Sequence, residues 1–454
     1  MITTYRDILL EWTYGIESDF ELNGTPASWR PGQPVTWGDE ARMIELDDNA
    51  YDCSVSDDEK FLALAIGRQV LIYDLENLEL RETLNGHTEN VGRVEFFPLD
   101  IAGNKYKLVS ASKYLDAMIV VWTLDKHGKN TTGNTDSIDI EGLAATATEE
   151  AMQTLISNRG WMKEHADGDK LLAAVKDVVW RADASHIVQN NLEFPGELTG
   201  FGSRAVSNDG KLLVYVSANR QSRRSAATNL GPKIVVCDIE RGEKRLTLEG
   251  HTDSIMCMVK LWDTSSGRLI HDIGPTGGQN WTGVFSPDSK YIACTRGSPS
   301  TVVYVHNVLD GSRICEIAVS TSWVRCLAWS HEGHHLAAGG QSGVVYVWNP
   351  LRGEQEQKWQ LKGRERHHGM FSEIDSVQWL EDSNGMMLAY KGTEGGVNVY
   401  DMLQNQKWRS APKRSDFINL TRIKSGAGCL HYLRKTNQLV SVDMDQTVRF
   451  WLVN

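Results

Sequence analysis

The sequence predicts an all-β fold: eight repeats of one small sheet, seven of them four-stranded and one truncated, with an α-helical arm inserted into the series. Three observations predict it. A short β-like run ending in a bulky residue recurs eight times, a polar turn between apolar stretches precedes most of these runs, and the recurrence fails twice, by one insertion and one deletion. The chain can support such a fold, because 454 residues at 41% hydrophobic content suffice for a packed core and exclude wholesale disorder.

In chain order the runs are VLIYDL ending at Leu75, IVVWTL at Leu124, IVVCDI at Ile239, VKLWDT at Thr264, VYVHNV at Val308, VYVWNP at Pro350, VNVYDM at Met402 and VRFWLV at Val453. Their matching bulky positions are Tyr73, Trp122, Cys237, Trp262, His306, Trp348, Tyr400 and Trp451, spaced by 49, 115, 25, 44, 42, 52 and 51 residues. A period near 45 with two anomalies is the signature of a repeat architecture.

The turn upstream reads SDDEK from Ser56, SNDGK from Ser207, SPDSK from Ser286 and SHEGH from Ser330, with weaker copies from Glu381 and Arg434. Asp, Asn, Gly and Pro suit it because they tolerate or pre-set its dihedrals. Alternating apolar residues on both sides, as in Lys60–Ile66 and Lys290–Cys294, read as the strands of a hairpin. Each unit is therefore strand, turn, strand, short loop, strand ending in the bulky residue, and a fourth strand leading onward.

This unit resembles the WD-repeat β-propeller family. The dipeptides Gly86–His87, Gly250–His251 and Trp262–Asp263 carry the resemblance further, and it covers most of Ala50 to Asn454. It implies a propeller of seven four-stranded blades plus one truncated blade over residues 40–454. A four-stranded sheet cannot bury both faces alone and must stack on its neighbours. In the family the first and last segments share a blade, which makes ARMIEL (Ala41–Leu46) the fourth strand of the blade ending in VRFWLV. Residues 1–39, with Pro26, Pro31 and Pro34, read as an extended strap over the ring.

The 115-residue spacing is one repeat plus an insertion at 126–185. Leu143, Ala147, Met152, Leu155 and Ile156 are spaced for one helix face, and Asp169 can cap a second helix carrying Leu171, Leu172, Val175, Val178 and Val179. Asp136 to Gly200 holds 12 acidic and 5 basic residues, so this arm is either a solvated helical pair or a docking surface for a basic partner. The 25-residue spacing marks the truncated blade, 250–274, where GHTDSIMCM runs straight into VKLWDT. It lacks 17 to 19 residues against its neighbours, about two strands and a turn. Either the sequence is a mis-predicted or alternatively spliced product joined between Met258 and Val259, or the lesion is tolerated and the neighbouring blades close the gap.

Composition narrows the function classes. A net charge of −12, from 47 basic and 59 acidic residues, argues against a nucleic-acid binder, which needs surplus Lys and Arg. No apolar run approaches the roughly 18–20 residues of a membrane span, and Arg6, Asp7 and Glu11 break any secretory signal. Seven scattered Cys without a Cys-x-x-Cys pair suggest small core residues. An intracellular chain, cytoplasmic or nuclear, is expected.

One blade carries residues that look catalytic: His87, Ser110, Ser112, Asp116 and Trp122. Out of context they suggest a nucleophilic triad. The resemblance implies instead a structural network of imidazole, hydroxyl, carboxylate and indole N–H, with the choice between Ser110 and Ser112 open. The truncated blade keeps His251 and Trp262 but has lost what lies between, so its network is expected to be incomplete. His331-Glu332-Gly333-His334-His335 matches a zinc-protease pattern, but that chemistry needs a helix and this segment occupies a hairpin turn. No phosphate-binding loop is present, and Gly200-x-Gly202 lacks the rest of a dinucleotide fingerprint. The basic loop Arg220–Arg224 reads as solvated surface, with a phosphate contact or kinase target as the alternative; Lys407, Arg409, Lys413 and Arg414 read equally as surface.

Trp281 and Trp323, the latter followed by Arg325, start inner strands, which in the resemblance border the central opening used for partners. Large aromatics and Arg are enriched at interface hot spots, and packing between blades is the alternative. The expected function is a non-catalytic scaffold that binds other proteins, without metal or cofactor. A hydrolase with its site at the central opening, or a phosphate or nucleic-acid binder through Arg220–Arg224, are the competing readings.

Overall fold

The computed structural model describes residues 16–33, 40–99, 105–112, 117–131, 192–198, 204–217, 233–249, 260–273, 282–297, 300–319, 323–340, 343–361, 374–380, 386–392, 397–410, 429–443 and 446–453. Every regular element among them is a β-strand. The expected helical arm, from residue 132 onward, lies outside the described residues, as do residues 250–259 of the truncated repeat.

Antiparallel sheets follow one another along the chain. The first unit is Ala50–Val55, Phe61–Ile66, Gln69–Asp74 and Leu80–Asn85. The second is Val91–Phe96, Lys105–Ser112, Met118–Asp125 and Leu192–Glu197. The third has Leu212–Ser217, Ile234–Asp238 and Glu243–Leu248, with Val206 bridging to Leu213 where a first strand would run. Leu192–Glu197 joins these two units into one seven-stranded sheet: Leu192–Pro195 pair with the second unit, and Gly196 and Glu197 with the third.

Among the described residues the fourth unit holds two strands, Lys260–Trp262 and Leu269–Asp272. The fifth is Gly283–Phe285, Tyr291–Arg296, Val302–Asn307 and Arg313–Ala318, and the sixth is Val324–Trp329, Leu336–Gly340, Val344–Asn349 and Glu354–Leu361. The seventh is Ile374–Leu380, Met387–Gly392, Val397–Asp401 and Gln406–Ser410. The eighth is Leu430–Leu433, Gln438–Asp443 and Thr447–Leu452, completed by Glu40–Glu45 from the opposite end of the chain. ARMIEL thus supplies the fourth strand beside VRFWLV, as the family resemblance implied.

Local chemistry makes these hairpins. In the turn copies the leading serine hydroxyl donates to a carboxylate two residues on, Ser56 to Asp58 at 2.7 Å and Ser286 to Asp288 at 2.7 Å. The same oxygen accepts the N–H five residues on, from Phe61 and Tyr291. The fourth turn residue is left-handed in every copy described: Glu59 (φ 53°), Gly210 (φ 68°), Ser289 (φ 58°) and Gly333 (φ 74°). A second device recurs between third and fourth strands, where the register slips just before the bulky residue at Tyr73, Cys237, Trp262, His306, Trp348 and Trp451. Such bulges bend and twist a strand.

The middle strands are buried on both faces: all of Phe61–Ile66 and all of Val344–Asn349 are buried. The cause is the packing, because consecutive units press face to face. Phe61, Ile72 and Leu84 meet Val94, Leu108 and Trp122 between the first and second units. Comparable clusters join each later pair, and Leu62, Leu64 and Cys53 of the first unit meet Val440, Val448 and Phe450 of the eighth. The series of packed faces therefore returns to its start.

The N-terminal segment lies along outer strands. Ile16–Ser18 pairs with Glu354–Leu361, and Ser28–Trp29 runs parallel to Gln406–Ser410. Phe20 anchors it, stacked on Tyr400 at 4.1 Å and on Trp359 at 5.9 Å. This corrects the reading of Lys407 and Arg409 as solvated surface: both are buried. Lys407 pairs with Asp19, and the Arg409 N–H donates to Gln33 Oε1 at 2.8 Å, because the segment covers an edge that would otherwise expose unpaired backbone groups.

Candidate functional site

His87, Ser110 and Trp122 come together inside the second unit. The third strand Met118–Asp125 points the Trp122 indole at the neighbouring Lys105–Ser112 strand, two residues beyond its paired partner Leu108. Trp122 Nε1 donates to Ser110 Oγ at 2.7 Å, and His87 Nε2 lies 2.6 Å from the same oxygen. All three side chains are 0% exposed. A hydroxyl enclosed between an indole and an imidazole has no face open to a substrate carbonyl, which nucleophilic attack requires. Ser112 accepts the Met118 N–H at 3.1 Å, and Asp116 lies outside the described residues. The eighth unit repeats the indole–hydroxyl part, with Trp451 Nε1 donating to Ser441 Oγ at 2.9 Å.

The HEGHH segment is a turn. The Ser330 N–H donates to the His335 carbonyl and the Gly333 N–H to the Ser330 carbonyl, both at 2.8 Å. His335 Nε2 lies 3.0 Å from Glu356, and burial pushes the imidazole below its ordinary pKa, opposed by that carboxylate.

Trp323 immediately precedes Val324–Trp329 and is half-buried, as is Arg325. The Trp323 ring covers Gly297 of the fifth unit so closely that a Cβ there would lie 2.1 Å from it. The ring thus spans two units while keeping part of its surface in solvent. Trp281 and the Arg220–Arg224 loop lie outside the described residues.

One feature of the first strands was not anticipated. Asp52 and Arg93 follow equivalent register slips in consecutive units and sit 3.6 Å apart. Arg93 also approaches Glu95 at 3.8 Å, and Glu95 approaches Arg204 at 3.5 Å. The carboxylates hold backbone as well: Asp52 accepts the Val94 N–H at 2.9 Å and Glu95 the Ala205 N–H at 3.0 Å. Cys429 donates to Asp52 at 3.2 Å, and His431 Nε2 lies 3.2 Å from the Cys53 carbonyl. This polar line ties the eighth unit to the third. Burial lowers the His431 pKa and, despite opposing burial, Asp52 and Glu95 hold Arg93 above its ordinary value. Aligning the first strands of each repeat would have revealed the opposite charges at matching positions.

Residues 311–349 match the family described as WD domain, G-beta repeat. The WD repeat-containing protein SL1-17 of Schistosoma mansoni is 27% identical over 151 residues, 33% of this chain and 46% of that protein. Protein FIZZY-RELATED 3 of Arabidopsis thaliana is 28% identical over 217 residues, 47% of this chain and 42% of its own. Autophagy-related protein 16, also of Arabidopsis thaliana, is 24% identical over 311 residues, 66% of this chain and 47% of its own. The chain thus spans under half the length of these relatives. No helix among the described residues is long and apolar enough to cross a membrane. The matched repeat opens on the outer strand Arg313–Ala318 of one unit and closes on the third strand of the next. The matched repeat therefore straddles two sheets and fastens them together, and residues 311–349 are a WD repeat in a chain that is similar to WD-repeat proteins.

Proposed function

We propose that this chain is a non-catalytic scaffold that binds other proteins through a propeller surface of seven full blades and one truncated blade. The observation that carries it is the enclosure of Ser110 between His87 and Trp122, which makes the most enzyme-like residues a brace inside one blade. Trp323 and Arg325, joined by Trp281, form the partner-binding rim. A half-buried tryptophan already fixed on Gly297 loses little freedom when a partner covers it. The acidic arm at 126–185 offers a second contact surface for basic partners. All six described cysteines are free, which fits a reducing compartment, cytoplasm or nucleus.

The test is co-purification from cell extract with Arg325→Glu and Trp323→Ala, each checked by thermal unfolding. Loss of the same partners from both variants, with Arg325→Glu as stable as the parent, is the expected result. Loss of stability with undiminished partner recovery makes Trp323 a packing residue and overturns the rim.

A further inference from the structure

The fourth unit presents an open strand edge. Lys260–Trp262 pairs with Leu269–Asp272 on one side and with no second strand among the described residues. The register slip just before Trp262 identifies it as a third strand, since the same slip precedes Tyr73, Cys237, His306, Trp348 and Trp451. In the complete units a second strand lies against that edge. Here the repeat is 17 to 19 residues short, the length of two strands and a turn.

Two side chains register what is missing. Trp262 Nε1 is buried and finds no acceptor among the described residues, whereas Trp122 and Trp451 each donate to a serine on the adjacent second strand. Phe285, the last residue of the fifth unit's first strand, is 52% exposed. Its counterparts just before the turn serine are Val55, half-buried, and Val206 and Trp329, 4% and 9% exposed, and each packs on the preceding unit. Trp329 even donates to the Val284 carbonyl of that unit, at 3.3 Å. Alternation turns Val284 toward the sixth unit and Phe285 toward the fourth, where no first strand among the described residues covers it.

We propose that this gap is a docking site for a β-hairpin of a partner protein, which completes the unit by strand addition. The complete units specify its chemistry. Leu108 pairs with Trp122 while Ser110 pairs with Val120, and Leu439 pairs with Trp451 while Ser441 pairs with Arg449. The incoming second strand therefore sets an aliphatic residue opposite Trp262 and a hydroxyl residue two positions on, opposite Lys260. That hydroxyl accepts the Trp262 indole N–H. The companion strand carries small apolar residues that cover Phe285. The site is separate from the Trp323–Arg325 rim, and either can fail without the other.

The probe is a synthetic peptide of residues 430–443, the Leu430–Leu433 and Gln438–Asp443 hairpin that carries Leu439 and Ser441. It is added to the full chain, with amide exchange and tryptophan emission as readouts. The expected result is at least about tenfold slower exchange at residues 260–262, and about tenfold weaker binding of the Ser441→Ala peptide. Trp262→Phe in the chain should abolish the difference between the two peptides. As a control for peptide folding, residues 430–443 are grafted between Met258 and Val259, which should raise Tm and block the peptide. The proposal is overturned if residues 260–262 are already protected in the chain alone, since residues 250–259 would then occupy the edge. It is equally overturned if the graft raises Tm while the free peptide gives no protection, or if neither has any effect.

Discussion

The second and fourth units carry the same tryptophan at the end of the same strand, and only one of them gains from it. Trp122 is enclosed, with its indole N–H paired to Ser110 and its rings packed against Phe61, Ile72 and Leu108. Trp262 is half-buried, packs beside Ile234, Val236 and Leu248, and has no acceptor among the described residues. The side chain is identical; the neighbouring strand differs. A signature residue therefore stabilises through its context, and a buried polar atom without a partner costs about 1–3 kcal/mol rather than contributing.

The largest test of this contrast is truncation at both sites. Trp122→Ala should destabilise by about 4 kcal/mol in urea unfolding, and Trp262→Ala by about 1 kcal/mol or less. Equal losses would erase the difference between the two units. Next, Ser110→Ala removes the shared acceptor of two buried groups and should cost about 2–3 kcal/mol. A loss below about 0.5 kcal/mol would mean that the enclosed network contributes no more than a surface contact.

The buried polar line of the eighth to third units should add a pH signature of its own. Burial lowers the His431 pKa in the fold, so between the unfolded value near 6.5 and the lower folded value the unfolded chain binds more protons. Stability is then full above about pH 6.5 and falls on acidification through that window. His335 and His306, also lowered chiefly by burial, add in the same direction. His431→Gln should flatten the fall between pH 7 and 5 in chemical unfolding, and an unchanged slope would remove His431 from the account. The smallest effect belongs to the turns. Ser289 holds a left-handed φ of 58° where Gly210 and Gly333 stand in sister turns, so Ser289→Gly should raise stability by up to about 1 kcal/mol. A loss instead would show that the Ser289 side chain does more than tolerate the turn.

Much of the fold was legible because each unit repeats the same local physics. The Ser-x-Asp turns and the apolar third strands are short-range patterns, while the ARMIEL partner of VRFWLV was legible only through the family resemblance. The short fourth unit was legible as arithmetic, since a spacing of 25 cannot hold four strands. The Asp52–Arg93–Glu95–Arg204 line was legible only as opposite charges at matching first-strand positions; that they pair was not, because they lie far apart in sequence and meet only where consecutive first strands come side by side. Lys407 and Arg409 misled for a related reason: a basic stretch reads as surface until a distant segment, here Asp19 to Gln33, is laid over it.

By itself the sequence determined the repeat, its turns and its one 25-residue spacing, because hairpin geometry and strand alternation depend on residues a few positions apart. The tertiary structure decided which serine meets Trp122, which charges pair, and that Phe285 is exposed where Val206 and Trp329 are buried. Those outcomes depend on how one sheet's face and register meet the next, a relation between residues tens to hundreds of positions apart.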